Sequence, residues 1–385
     1  MVAVFTLIDA LGWTYLKDRD FLPEVLSYRA EVRTVLGFSS GAIPTLLSGR
    51  LPQESGHWNL FYYHPERSPF KWVRWLSFLP CGVLNSRITR RGIRFVSQRL
   101  SRVGGYFQIY GVPTELLPYF DVCEKKDIYK PGGVPFSIFD RLEELGVRYR
   151  TYSYHEFADE QIVRTARRDL RAKRFDFLFV YLSELDAFLH QWCQDEDRVE
   201  RQIRRYESWL RELHEEAHRS HDEVAFFVIS DHGMTPKRAG YDLIAEVKAL
   251  GFQMPRDYLA LYDSTMARFW FFNNRAREQL SQRLAALECG HTLGDEERRE
   301  LGIDFPDGRN GELVFLMNPG VLIEPSYFGT QAPEGMHGFH PDDPYSSAAF
   351  LANREPRHPI RTLIDVHDVM LDWATALHSG VYAQG

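Results

Sequence analysis

Three short apolar runs, Val2–Ile8, 175–181 and Val224–Ile229, are rich in Val, Ile and Phe, and each gives way at once to polar residues. Runs that are continuous rather than alternating predict strands buried on both faces, the pattern of a parallel sheet. Helical patterns fill the intervals, notably residues 134–145, stopped by Gly146, and the charged stretch 197–219. Strands alternating with helices predict an α/β fold: a doubly wound, mostly parallel sheet flanked by helices, with any ligand beyond the carboxyl ends of the strands.

Two segments break that alternation. Residues 58–130 carry a dense aromatic cluster around Trp58, Phe61, Phe70, Trp72 and Trp75, interleaved with Arg67, Lys71 and Arg74. An aromatic-rich insertion covering the site is expected there. Its rings should mainly form its own core, with base stacking or contact with lipid headgroups as the other uses of such a mixture. Residues 253–330 combine a strand-like stretch at 269–272, a helical one at 276–287 and turn chemistry at Asp307-Gly308 and Pro319-Gly320, the expected makings of a cap or lid. Neither an internal repeat nor a low-complexity linker separates these parts, so residues 1–385 are read as one α/β domain with inserted cap segments.

Composition narrows the choice of function. A chain of 385 residues with 44% hydrophobic content can bury a sizeable core. Its net charge is −7, with acids and bases mixed along most of the length, so no nucleic-acid groove is built by charge and a phosphate-bearing substrate must be attracted locally. Cys81, Cys123, Cys193 and Cys289 are far apart and form no CxxC pair, which fits reduced thiols better than a zinc knuckle or disulfide framework. The N-terminus runs into the first strand without a basic region or small-residue cleavage site, and no apolar run reaches membrane-spanning length. The cytoplasm is therefore the expected compartment.

Candidate chemistry gathers at the strand ends. The first strand ends in Asp9, and the third in Ser230-Asp231-His232-Gly233, a carboxylate and an imidazole where the backbone turns. After the second strand, Asp186 and His190 stand four residues apart, on one face of a helical turn, with Ser183 and Glu184 expected to support them. His337 lies between Met336 and Gly338 in a glycine-rich loop that can bring an imidazole close. Ser39 and Ser40 begin an expected helix ending at Ser48-Gly49, where free N–H groups and the helix dipole suit an anion. Each element alone has an ordinary reading: a polar strand end, a surface turn, a solvated helix start, or simple N-capping by a serine. His214, His218 and His221 share a helical spacing but sit among Glu215, Glu216, Arg219 and Asp222, as on a solvated helix end.

Taken in order, Asp9, a hydroxyl ten residues before Gly49, Asp-x-x-x-His, Ser-Asp-His-Gly-Met and a late Gly-x-His-Gly resemble the alkaline phosphatase superfamily, most closely its nucleotide pyrophosphatase/phosphodiesterase branch. The resemblance implies Ser39 as nucleophile, forming a phosphoserine intermediate, with Ser40 as a candidate substrate contact. It also implies two divalent metal ions, zinc first and manganese as the alternative. One would be held by Asp9, Asp231, His232 and the Ser39 oxygen, the other by Asp186, His190 and His337. The implied partner is a small phosphate ester rather than a nucleic-acid polymer. Gly41 and Ala42 stand where relatives place Pro and Asn, so the side-chain amide that helps bind a phosphoryl oxygen is expected to be missing, and His57 is assigned no catalytic role. Gly41 and Ile43 also lack the Pro and Arg that sulfatases need beside their nucleophile. A phosphomonoesterase or phosphomutase of the same superfamily, and an inactive binding protein of the same fold, are the competing readings.

Overall fold

The computed structural model describes residues 1–329 and 333–380. The last residue of the expected lid, 330, thus lies outside the described residues, as do 381–385 at the end of the expected domain. A six-stranded sheet forms the centre, built from β1 (Val2–Ile8), β2 (Tyr28–Val32), β3 (Tyr149–Tyr152), β4 (Phe177–Leu182), β5 (Val224–Ile229) and β6 (Ala348–Ala352), in the order β2-β6-β5-β1-β4-β3. β5, β1, β4 and β3 run parallel, and β6 is antiparallel to both β5 and β2. The mostly parallel sheet expected from the apolar runs is present, and its middle strands are buried along their whole length.

Alternation along β1 sends Val2, Val4 and Ile8 to one face and Ala3, Phe5 and Leu7 to the other. The first face packs against α4 (Asp159–Arg171) and α6 (Glu196–Ser220). The second is covered by α1 (Ser39–Ser48), α3 (Ile138–Glu144) and α7 (Leu363–Ser379). Register aligns the strand ends. Ile8 pairs with Leu182, and Leu7 with Ile229, so the residues after β1, β4 and β5 emerge side by side at one edge.

Above that edge lies a third apolar core. A four-stranded antiparallel sheet of Tyr258–Tyr262, Met266–Phe271, Gly290–Thr292 and Leu313–Met317 shares it with Trp58, Phe61, Phe70 and Phe120. Buried Arg268 ties the two parts together. It pairs with Asp263 at 3.1 Å, donates to the Phe61 carbonyl at 2.8 Å and lies over the Trp58 ring. The 58–130 aromatics do not all serve this core: Trp75 is 82% exposed and Phe78 77% exposed. The segment also contains α2 (Arg87–Ser101), anchored by a Trp72 indole N–H donating to Ser97 at 3.0 Å.

Candidate active site

The backbone turns sharply after β1. Ala10 adopts φ 62°, a left-handed conformation that a non-glycine residue occupies at a cost of about 1–3 kcal/mol, and its N–H points to Asp231 Oδ1 at 3.4 Å. Gly12 and Gly233 meet there: a Cβ on Gly12 would lie 2.4 Å from Gly233 Cα, and one on Gly233 would lie 2.2 Å from the Tyr345 carbonyl oxygen. Gly233 is therefore needed for close approach of two backbone segments and not for a positive φ.

Asp159 starts the second strand-end turn. Its carboxylate accepts the N–H groups of Ser183 and Glu184, both at 3.0 Å, and the Tyr206 hydroxyl at 2.5 Å. That clamp begins α5 (Glu184–Trp192), which carries Asp186 and His190 one turn apart. Ser183 and Glu184 thus act through their main-chain groups. The loop with His337 is held by pairing of Gly335–Met336 with Thr235–Pro236, so it follows directly on the β5 end. Gly335 could carry no side chain, since a Cβ would lie 2.4 Å from Cys193 Sγ, and Gly338 has φ +93°. Asp343, which looks like surface loop in sequence, is buried and accepts the Thr235 hydroxyl at 2.6 Å, bracing the same turn.

These elements bring the seven expected ligand residues together. Donor atoms of Asp186, His190 and His337 lie within 4.8 Å of one another, as do those of Asp9, Asp186 and His232. Asp231 joins through its Oδ2, 3.2 Å from His232 Nε2, while Asp9 Oδ1 stands 3.4 Å from that nitrogen. Ser39 Oγ lies 2.9 Å from it. Asp186 bridges the halves, at 3.3 Å from His190 Nε2 and 3.4 Å from His337 Nε2. The rings of His232 and His337 stack at 3.8 Å.

The site fits divalent cations on its own chemistry. His232 Nδ1 is 3.0 Å from the Gly233 carbonyl, and His190 Nδ1 is 2.9 Å from the Gly335 carbonyl. A carbonyl only accepts, so each Nδ1 carries the proton and each Nε2 offers a lone pair toward the carboxylates. Asp9 Oδ1, Asp186 Oδ1, Asp231 Oδ2 and His337 Nδ1 are buried with no hydrogen-bond partner, a costly set unless a cation satisfies the oxygens. Burial, with the charges of Asp231 and Asp186, pushes the Asp9 carboxyl far up, and burial also raises Asp231. Burial drives the His337 imidazole well down, reinforced by His232. Burial opposes ionisation of Asp186, but His190 and His337 outweigh it and hold that carboxyl low. Tyr181 donates its hydroxyl to Asp9 and orients it.

Ser39 is the first residue of α1. Phe38 is the N-cap and neither serine caps the helix, so Ser39 Oγ is free to face His232. The Ser40 hydroxyl is committed to the Trp58 carbonyl at 2.8 Å, and it positions the strand-like segment after it. No side-chain amide stands on the first turn of α1, where Gly41 and Ala42 lie; Asn59, from the aromatic-rich segment, lines the same cavity as Ser39 with its Oδ1 buried and unpartnered and its Nδ2 donating to Met266 Sδ at 3.7 Å. His57 is outside the cavity, with Nδ1 at 3.1 Å from the Ser55 carbonyl. His214 and His218 pack on each other on α6, with His214 against Phe226, and belong to no group of metal-ligating residues among the described residues.

The cavity holds about 620 Å³ between the sheet edge and the upper core. Tyr106, Tyr110, Tyr129, Tyr154 and Tyr181 form much of its wall beside Glu124, and no Lys or Arg lines it among the described residues.

A doubly wound sheet whose carboxyl edge gathers carboxylates and imidazoles around a helix-borne serine defines a phosphoric ester hydrolase of alkaline phosphatase-like fold. Residues 43–340 match the family model for type I phosphodiesterase / nucleotide pyrophosphatase, and the chain belongs to that family. Among solved structures it is similar to murine ectonucleotide pyrophosphatase / phosphodiesterase 5, at 15% identity and TM-score 0.66 over 97% of this chain and 95% of that one. The human counterpart aligns at 13% identity and TM-score 0.68 over 100% and 96%. An inactive variant of the murine protein in complex with AMP aligns at 16% identity and TM-score 0.67, covering 97% and 95%. No curated protein sequence matches.

Proposed function

We propose that the chain is a metal-dependent phosphodiesterase that cleaves a small phosphate diester, with Ser39 as nucleophile. The carrying observation is the cluster of Ser39 Oγ, His232 Nε2 and the orphaned oxygens of Asp9, Asp186 and Asp231 beside the cavity that Asp9, Ser39 and Asp186 line. When bound, two divalent cations, zinc or manganese, one held by Asp9, Asp231 and His232 and the other by Asp186, His190 and His337, would lower the Ser39 pKa and neutralise phosphoryl charge. Ser39 Oγ forms a bond to phosphorus as the bond to the leaving oxygen breaks, giving a phosphodiester to Ser39 that keeps the substrate's other ester group, and the released alcohol leaves with the proton that Ser39 gives up. Water then cleaves the Ser39–phosphorus ester bond, restores the hydroxyl and releases a phosphomonoester. The first N–H groups of α1 are the donors for the phosphoryl oxygens.

Diester is favoured over monoester by charge. A monoester brings an additional negative charge, and no Lys or Arg lines the described cavity to receive it. AMP in the murine relative supports a substrate of nucleotide size. The upper segments, residues 58–130 and 253–330, would act as the cap that selects the leaving group, and a reducing, cytoplasmic setting would suit Cys123, Cys193 and Cys289, none of which is paired. The test is turnover of an aryl phosphodiester beside the matching monoester. The diester should be preferred, EDTA should abolish turnover and zinc or manganese restore it, and Ser39→Ala should cost at least about 1,000-fold in kcat. Monoester preference would favour the phosphatase reading, and full activity in Ser39→Ala would overturn the mechanism.

A further inference from the structure

We propose that α2 and the turn before it form a docking face for an anionic phospholipid surface. From Arg67 to Thr114 the chain carries nine Lys and Arg residues and no Asp or Glu, although its net charge is −7. On α2, Ile93 and Ser97 are buried, whereas Ile88, Arg91, Phe95 and Arg99 recur at helical spacing on the opposite side and are exposed. Ile88 is 83% exposed and Phe95 65%. Trp75, on a 3-10 turn that the Trp72–Ser97 hydrogen bond ties to α2, and Phe78, just after that turn, add two exposed aromatic rings ahead of the helix. Arg87, Arg91, Arg99 and Arg102 make no ion pair among the described residues.

That mixture selects its occupant. Arginines beside exposed Trp, Phe and Ile match the interfacial region of a bilayer, where rings and aliphatic groups enter below the headgroups and guanidinium groups meet the phosphates. A nucleic-acid backbone would use the cations and leave the apolar groups in water. A second copy of the same face would set one arginine array against another. No helix among the described residues is long and apolar enough to cross a membrane, so the contact is peripheral. The face also adjoins the cavity. Arg90, on the inner side of α2, donates to the carbonyls of Ile109 at 3.0 Å and Val112 at 2.8 Å, as well as to that of Tyr110, and Tyr110 and Val112 line the cavity wall.

Vesicle flotation with the full chain tests this. The protein should float with phosphatidylglycerol-containing vesicles, stay unbound with pure phosphatidylcholine, and be released by high salt. The R87Q/R91Q/R99Q/R102Q variant should lose at least about 100-fold in vesicle affinity, and W75S/F78S/F95S at least about tenfold, each with an unchanged melting temperature. Salt-insensitive flotation, or equal binding by the four-glutamine variant, would overturn the proposal. So would absence of wild-type binding to anionic vesicles, including the case in which the face instead holds a dimer that the arginine substitutions dissolve, or captures an acidic protein.

Discussion

Backbone carbonyls fix a proton on two of the three imidazoles of the site, and this makes the polarity of the site specific. His190 and His232 both spend their Nδ1 protons on carbonyls and turn Nε2 toward carboxylates, so the second nitrogen of each ring and the carboxylate oxygens face a common space. Tyr181 supports this arrangement by donating to Asp9. Tyr181→Phe should reduce metal affinity by about 10–100-fold while leaving the metal-free melting temperature nearly unchanged; calorimetric titration with zinc would measure it, and unaltered affinity would refute the role. Glu124 offers a second test, on stability. Burial pushes its carboxyl up from 4.5 to about 7, so the folded state favours the protonated form. Its contribution is full below about pH 4.5 and lost as pH rises through about 7. Glu124→Gln should flatten the decline, leaving the variant ahead by about 3 kcal/mol near pH 8 in urea denaturation compared with its relative standing near pH 4. Asp9, Ser39, Asp186, His190, Asp231, His232 and His337 were legible in the sequence because they stand in short motifs that occur in a fixed order, most of them directly after the apolar runs. Asn59, Asp159 and Asp343 were not, since an Asn after a Trp, or a lone Asp in a loop, has no spacing that separates it from ordinary surface polarity.

Elements differ in the same way. The long apolar runs that became β1, β4 and β5 announce themselves because both faces are buried. The edge strands β2 and β3, Tyr-Arg-Ala-Glu-Val and Tyr-Arg-Thr-Tyr, expose one side and mix polar groups into the run, and β6 is only five residues long, so none stands out from a loop. In the upper core the sequence shows the apolar strands but not Arg268, whose burial depends on Phe61 and the Trp58 ring arriving from a distant segment, beside its near neighbours Asp263 and Trp270. Removing it would strand the Asp263 carboxyl and free the Phe61 carbonyl. Arg268→Ala should cost about 3–5 kcal/mol in urea denaturation. A loss below about 1 kcal/mol would show that the ion pair is not what joins the two parts.

At the scale of the whole molecule, an acidic chain can take an anion because the charge that matters is concentrated at one sheet edge and awaits cations. Parallel register delivers Asp9, the α5 start and Asp231 to that edge, α1 delivers Ser39 from the side, and the upper core closes a cavity over them. The general architecture is legible in the strand and helix alternation. The cavity is not, because its wall is assembled from tyrosines scattered between Tyr106 and Tyr327, each of which looks like core in isolation. Crystals grown with zinc and measured at the zinc absorption edge examine the central claim directly. Two anomalous peaks are expected, one bounded by Asp9, Asp231, His232 and Ser39 and the other by Asp186, His190 and His337. A map with no peak among these residues, in protein that still hydrolyses the diester, would contradict the account.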